Sequence, residues 1–123
     1  MADDPAFQTR LGELEAEVAM LEHFEKLAIS GHEIGQDPAL ASISKIVDTE
    51  ITQKISTLMK DVSGLDAVSL EIETLAVGSA QAPLGSDFDL ITMPYYLNSR
   101  ATTIYAGTNE VQRDLITRTM VTG

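Results

Sequence analysis

Apolar side chains recur at three- and four-residue steps through most of the chain, and that spacing predicts helices. Asp4-Pro5 opens the first: an acidic cap followed by proline at the first helical position. Phe7, Leu11, Leu14, Val18, Leu21 and Ala28 form its stripe, widened by Met20, Phe24 and Leu27, with Glu13, Glu17 and Glu25 on the polar side. Ser30-Gly31 ends it, because glycine tolerates a left-handed turn. Asp37-Pro38 repeats the start signal. Leu40, Ile43, Val47, Ile51, Ile55, Leu58 and Val62 make the second stripe, closed by Ser63-Gly64. Glu50 and Lys54 stand four apart in the order that favours a helical ion pair. The expected helices cover residues 5–30 and 38–63, each about 26 residues and ~39 Å long at 1.5 Å per residue.

The pattern then weakens. Residues 65–92 read as an acidic loop region, with a short helix between Ala67 and Leu75 and a loop from Gly78 to Gly85. A third helix is expected over 94–105, opened by Pro94, and a fourth over 108–121. Thr108 would cap the fourth, turning Val111, Leu115, Ile116 and Met120 inward. The expected fold is all-α, a partial four-helix up-and-down bundle. Two long and two short helices leave that bundle one long helix short.

Composition narrows the function. A chain of 123 residues fits one domain and a real core. The absence of cysteine removes disulfides and thiolate chemistry. A net charge of −11 makes nucleic acid and anionic membrane poor partners. No apolar run reaches the ~20 residues of a membrane span, and the N-terminus is acidic, so a cytoplasmic location is expected. Charge is uneven: residues 61–99 hold six acids and no Lys or Arg, while Arg100, Arg113 and Arg118 follow. The middle repels phosphate and the tail can meet it.

Candidate chemistry is sparse. His23 and His32 have no third histidine to complete a metal trio, so no metal site is expected. Glu13 and Glu17 fall on a solvent face, and no serine has a histidine partner for a triad. Glycine-rich nucleotide loops are absent. The segment from Thr103 to Arg113 differs. It sets Gly107 between two helices and offers Thr108, Asn109 and backbone donors at a helix start. Such a turn either binds a phosphate or flavin edge or is a plain turn and cap.

Residues 104–113 of this segment, with Asp114-Leu115-Ile116, closely resemble the C-terminal signature of the acyl-CoA dehydrogenase family, Ile-Tyr-(Glu or Gly)-Gly-(Thr or Ser)-(Asn or Ser)-Glu-Ile-Gln-Arg. Pro94-Tyr95-Tyr96-Leu97-Asn98-Ser99-Arg100 resembles a branch that includes the pimeloyl-CoA dehydrogenase large subunit. Residues 45–53 resemble that branch's Lys-Ile-x-Gly-Thr-Glu-Ile-x-Gln, departing from it at Asp48. The resemblance implies an FAD-dependent enzyme: a base takes the proton alpha to an acyl-CoA thioester and a hydride leaves from the beta carbon. It implies that this chain corresponds to the C-terminal helical domain without its first helix. It also implies homo-oligomerisation, a flavoprotein partner supplying the missing domains, and acyl-CoA bound in the full assembly.

By the same resemblance Gly107, Thr108, Asn109 and Glu110 contact FAD, and Lys60 and Gly64 meet the flavin's ADP part from a partner subunit. The relatives' Gln-(Ile or Leu)-x-Gly-Gly reads Lys60-Asp61-Val62-Ser63-Gly64 here. In one large group of relatives the position of Ala106 is the glutamate base. Alanine accepts no proton. No catalytic residue is therefore assigned, and the chain is expected to be inactive alone. The alternative is a non-catalytic helical oligomerisation or scaffold module derived from the same fold.

Overall fold

The computed structural model describes residues 3–30 and 37–122, and all of its regular elements are helical. Gly31, named above in a helix stop, and His32, named above with His23 as an incomplete metal trio, lie outside the described residues. Helix α1 spans Pro5–Ile29 and α2 spans Pro38–Ser63. Asp4 and Asp37 cap them by accepting the N–H of Ala6 (3.0 Å) and Ala39 (2.8 Å). A 3₁₀ turn (Gly64–Val68), a one-turn helix α3 (Ile72–Leu75), α4 (Asp87–Ser99), a second 3₁₀ turn (Arg100–Thr103) and α5 (Asn109–Thr122) complete the described chain.

The expected boundaries of the third helix are corrected. It begins at Asp87, and Pro94 lies inside it. Its start is a reciprocal cap. Ser86 Oγ accepts the Asp89 N–H (3.3 Å), and the Asp89 carboxylate accepts the Ser86 N–H (2.8 Å) and O–H (2.7 Å). That pair satisfies orphan donors before the proline is reached, so the proline does not set the boundary. The α-helix ends at Ser99 and passes into the 3₁₀ turn, short of the expected 105. The region 65–92 is likewise not all loop. Glu71 folds part of it, accepting the Leu84 N–H (3.2 Å) and the Thr74 hydroxyl (3.2 Å).

Helix α2 lies at the centre. One side meets α1, where Leu14, Ile51 and Leu58 form the buried core with Phe7, Leu11, Val18, Leu21, Val47 and Ile55 around them. The two helices run antiparallel, tied by Arg10–Asp61 (2.8 Å) and Lys54–Glu17 (2.5 Å). Lys54 thus bridges to α1, not to Glu50 as its spacing suggested, and Glu50 pairs with Arg113 of α5 (3.2 Å). Both partners, Glu17 and Arg113, lie on neighbouring helices, where an interhelical pair replaces a weak intrahelical one.

The other side of α2 is polar. Ser42, Thr49, Ser56 and Ser63 recur every seven residues; the first three are buried and Ser63 is half-buried. α4 packs along the C-terminal half of this seam, with Ser56 Oγ and Ser99 Oγ 2.8 Å apart and Ser63 Oγ and Thr92 Oγ1 3.5 Å apart. α5 takes the N-terminal half at Lys45, Thr49 and Glu50. Small hydroxyl side chains let the helices approach closely while satisfying their own oxygens through backbone carbonyls. Thr49, Ser56 and Thr92 bond to the carbonyls of Ile46, Gln53 and Phe88. The inward turn expected of Val111, Leu115 and Met120 is corrected: all three are exposed. Asn109, Gln112, Ile116 and Thr119 are the α5 positions with reduced exposure instead.

Candidate functional site

The chain reverses between the second 3₁₀ turn and α5 in a way few sequences permit. Ala106 and Gly107 both have positive φ, 56° and 87°. Glycine populates this region freely, whereas alanine is strained there. A Cβ on Gly107 would lie 2.6 Å from Gln112 Nε2. Ile104 and Tyr105, just before, are 66% and 52% exposed. Thr108 follows as the cap of α5, its Oγ1 accepting the Val111 N–H (3.2 Å). The result is an exposed turn with an apolar and an aromatic side chain at its entry and a helix N-terminus at its exit.

The six residues singled out in the sequence separate into distinct roles. Gly107 and Glu110 are exposed and Thr108 is half-buried at the cap. The Glu110 carboxyl is held below its ordinary range, first by its own backbone N–H and then by the Thr108 hydroxyl, with Arg113 and Lys45 adding positive charge. Asn109 points the other way. It is 4% exposed, its Oδ1 accepting from Lys45 Nζ (2.7 Å) and its amide donating to Thr49 Oγ1 (3.2 Å). Its side chain is committed to the helix interface.

Lys60 and Gly64 lie elsewhere. Lys45, which touches Asn109, and Lys60 are separated along α2 by about 22 Å at 1.5 Å per residue. One protomer therefore does not bring the two groups to a common point. At the far end Gly64 (φ 65°) ends α2, its N–H bonded to the Lys60 carbonyl. Lys60 Nζ sits 5.2 Å from the Tyr96 ring centre and 3.8 Å from Asp61. Arg100 stacks on the same ring at 4.5 Å, and donates to the Gln53 carbonyl (3.0 Å) and Ser56 Oγ (2.8 Å). Sequence reasoning missed Lys45, Thr49 and Arg100 as organisers of this region. The seven-residue recurrence of hydroxyls on α2 was the signal that could have exposed the second interface.

A groove of about 440 Å³ runs between α1 and α2, lined by Arg10, Glu13, Glu17, Gln53, Lys54 and Arg100 among others. Its charges of both signs are largely paired already, Arg10 with Asp61 and Lys54 with Glu17. Among the described residues no group of His, Cys, Asp or Glu is arranged to hold a metal ion, and no helix is long and apolar enough to cross a membrane.

A family profile described as "Acyl-CoA dehydrogenase, C-terminal domain" matches residues 1–121. With the all-helical architecture, this places the chain in the acyl-CoA dehydrogenase family, in its C-terminal helical domain. Over 115 residues the chain is 28% identical to the acyl-CoA dehydrogenase IpdE1 of Mycolicibacterium smegmatis. The match covers 94% of this chain and 25% of that protein, so the chain spans about a quarter of the relative's length. No solved structure matches the chain significantly.

Proposed function

We propose that this chain is the flavin-facing and assembly-forming helical part of an acyl-CoA dehydrogenase-type flavoprotein, inactive on its own. The observation that carries the reading is the exposed, left-handed Ala106–Gly107 turn at the N-terminus of α5. It brings backbone close to the surface, where a flat ring system can approach without meeting a long side chain. Gly107, Thr108 and Glu110 are the residues of this turn that would face FAD. Asn109 supports them from beneath. Bound FAD would supply the hydride acceptor for α,β-dehydrogenation of an acyl-CoA thioester. Ala106 offers no proton acceptor, so the base would come from residues outside this chain.

Lys60 and Gly64 would meet the ADP part of a flavin held mainly by another protomer. The ~22 Å along α2 between Lys45, beneath the turn, and Lys60 supports this division: each would serve a different site in a homo-oligomer. The neighbouring Asp61 opposes a pyrophosphate, but its charge is already engaged by Arg10 and Lys60.

A second reading has its own observation. The position of Ala106 holds a methyl group and much apolar surface is exposed on α4 and α5, which suits a non-catalytic oligomerisation or scaffold module. Native mass spectrometry of the chain purified from its own cells, without added FAD, separates the two. Flavin retained in an assembly, with no acyl-CoA oxidation by the pure chain, supports the first reading. A flavin-free oligomer that takes up no added FAD supports the second. Acyl-CoA oxidation by the pure chain would overturn the expected inactivity.

A further inference from the structure

The Ala106–Gly107 turn is held from below by one side chain that no role yet explains. Lys45 projects from α2 between the two ends of the turn. Its ammonium donates to the Thr102 carbonyl (3.2 Å) before the turn and to Asn109 Oδ1 (2.7 Å) after it. Both acceptors are neutral oxygens, and the group is half-buried. Removing an ammonium from water for two neutral acceptors is costly unless the bonds are well made and the position demands it. The position does demand it. Six residues separate the two anchor points, and between them lie two successive left-handed residues, one of them not glycine.

Strained conformations persist only where their surroundings over-determine them. Here the local bonds are few: Ile104 and Tyr105 donate to the Ala101 carbonyl (2.9 and 3.1 Å), and Gln112 donates to the Thr108 carbonyl (3.0 Å). None of these crosses from one side of the turn to the other. Lys45 does, with Thr49 completing the acceptor side by bonding to Asn109 (3.2 and 3.3 Å). We propose that Lys45 is a positioning residue. It clamps both ends of the 103–108 turn to α2 and so holds the exposed face of the turn in the shape that a flavin would meet. The clamp stands on the geometry alone; its consequence for FAD rests on the function proposed above.

Amide hydrogen exchange on the full chain reads the clamp directly. In Lys45→Met, which keeps length and apolar bulk, the amides of Ile104, Tyr105 and Gln112 should exchange about tenfold faster, with α1 and residues 50–60 of α2 unchanged. Asn109→Asp keeps an acceptor for Lys45 and should retain the protection at Ile104 and Tyr105. FAD titration should show about tenfold weaker binding in Lys45→Met than in the parent chain. Unchanged exchange at the turn in Lys45→Met overturns the clamp. So does loss of protection throughout α1 and α2, which would make Lys45 a general packing residue. If the parent chain takes up no FAD while the turn loosens as described, the flavin reading fails and the clamp stands.

Discussion

Two neighbouring residues with left-handed backbone set the local energetics of the α5 entry, and they respond oppositely to substitution. At φ 56° the Cβ of Ala106 carries a penalty of roughly 1–2 kcal/mol. Ala106→Gly removes that penalty at some entropic cost in the unfolded chain, and should stabilise by ~1 kcal/mol. Gly107→Ala introduces the penalty and drives a Cβ toward the Gln112 amide, so it should destabilise by about 1–2 kcal/mol. Urea unfolding of the pair measures both, and equal midpoints would mean the turn is relaxed. Two carboxylates supply a pH signature. Asp89 is held below its ordinary range by the Ser86 hydroxyl, then by Ser63 and the Ser86 N–H, and Glu110 is lowered as described above. A carboxyl whose pKa is lower in the folded chain stabilises fully above its unfolded value, and that contribution disappears as pH falls through the lowered value. Stability should therefore be flat near neutrality and decline through the acidic carboxylate range. Asp89→Asn, followed by circular dichroism during acid titration, should start lower at neutral pH and decline less steeply.

At the scale of elements, the two sides of α2 obey different rules, and this decided what could be read from the chain. α1 and α2 were legible because their Asp-Pro starts and apolar stripes coincide with the buried core at Leu14, Ile51 and Leu58. α4 and α5 were located only in part. The proline at 94 drew the expected boundary forward, while the capping pair Ser86 and Asp89 set the actual one. The search for an inward apolar stripe also chose the wrong side of α5, because Asn109, Gln112 and Thr119 face inward with Ile116. A seam of hydroxyl and amide groups has no hydrophobic period to detect, and its partners are visible only once the helices are docked. Around the turn, the break at Gly107 and the cap at Thr108 were legible from the sequence. The inward commitment of Asn109 was not, since Lys45 and Thr49 lie sixty or more residues away in sequence. The two seams should differ in mutational response. Ser56, which is fully buried, should tolerate no added volume: Ser56→Leu should cost about 1–3 kcal/mol by overpacking. Ile51→Asp should cost on the order of several kcal/mol, because the charge would have no partner in the core. Lys54→Ala breaks only a partly exposed ion pair and should cost below about 1 kcal/mol. Thermal melts of the three variants rank them, and a Ser56→Leu protein as stable as the parent would refute the close α2–α4 seam.

At the scale of the whole molecule, the chain buries less than its mass allows. Its accessible surface is 8168 Å², whereas a compact monomer of 13.3 kDa exposes about 6,500 Å². The excess is not spread evenly over polar groups. Phe88, Ile91 and Tyr95 recur at three- and four-residue steps along one flank of α4, each more than 40% exposed. Val111 and Leu115 stand four apart on α5 at 50% and 44%, and Leu65 and Leu84 are exposed in the preceding connections. Inward faces made of hydroxyls and amides leave these apolar side chains with no place inside the chain. Water disfavours them, and a second surface would remove them from it at roughly 25 cal/mol per Å². The physical expectation is self-association or docking onto a further domain through α4 and α5, with the α1–α2 core uninvolved. Ile91→Asp combined with Leu115→Asp should therefore lower the sedimentation-equilibrium mass toward that of one chain. It should also abolish the rise of the melting temperature with protein concentration and leave the helical content intact. Ile51→Asp acts on the other side of α2 and should reduce helical content first. If the double variant keeps the parent's mass and concentration dependence, association runs through a different face.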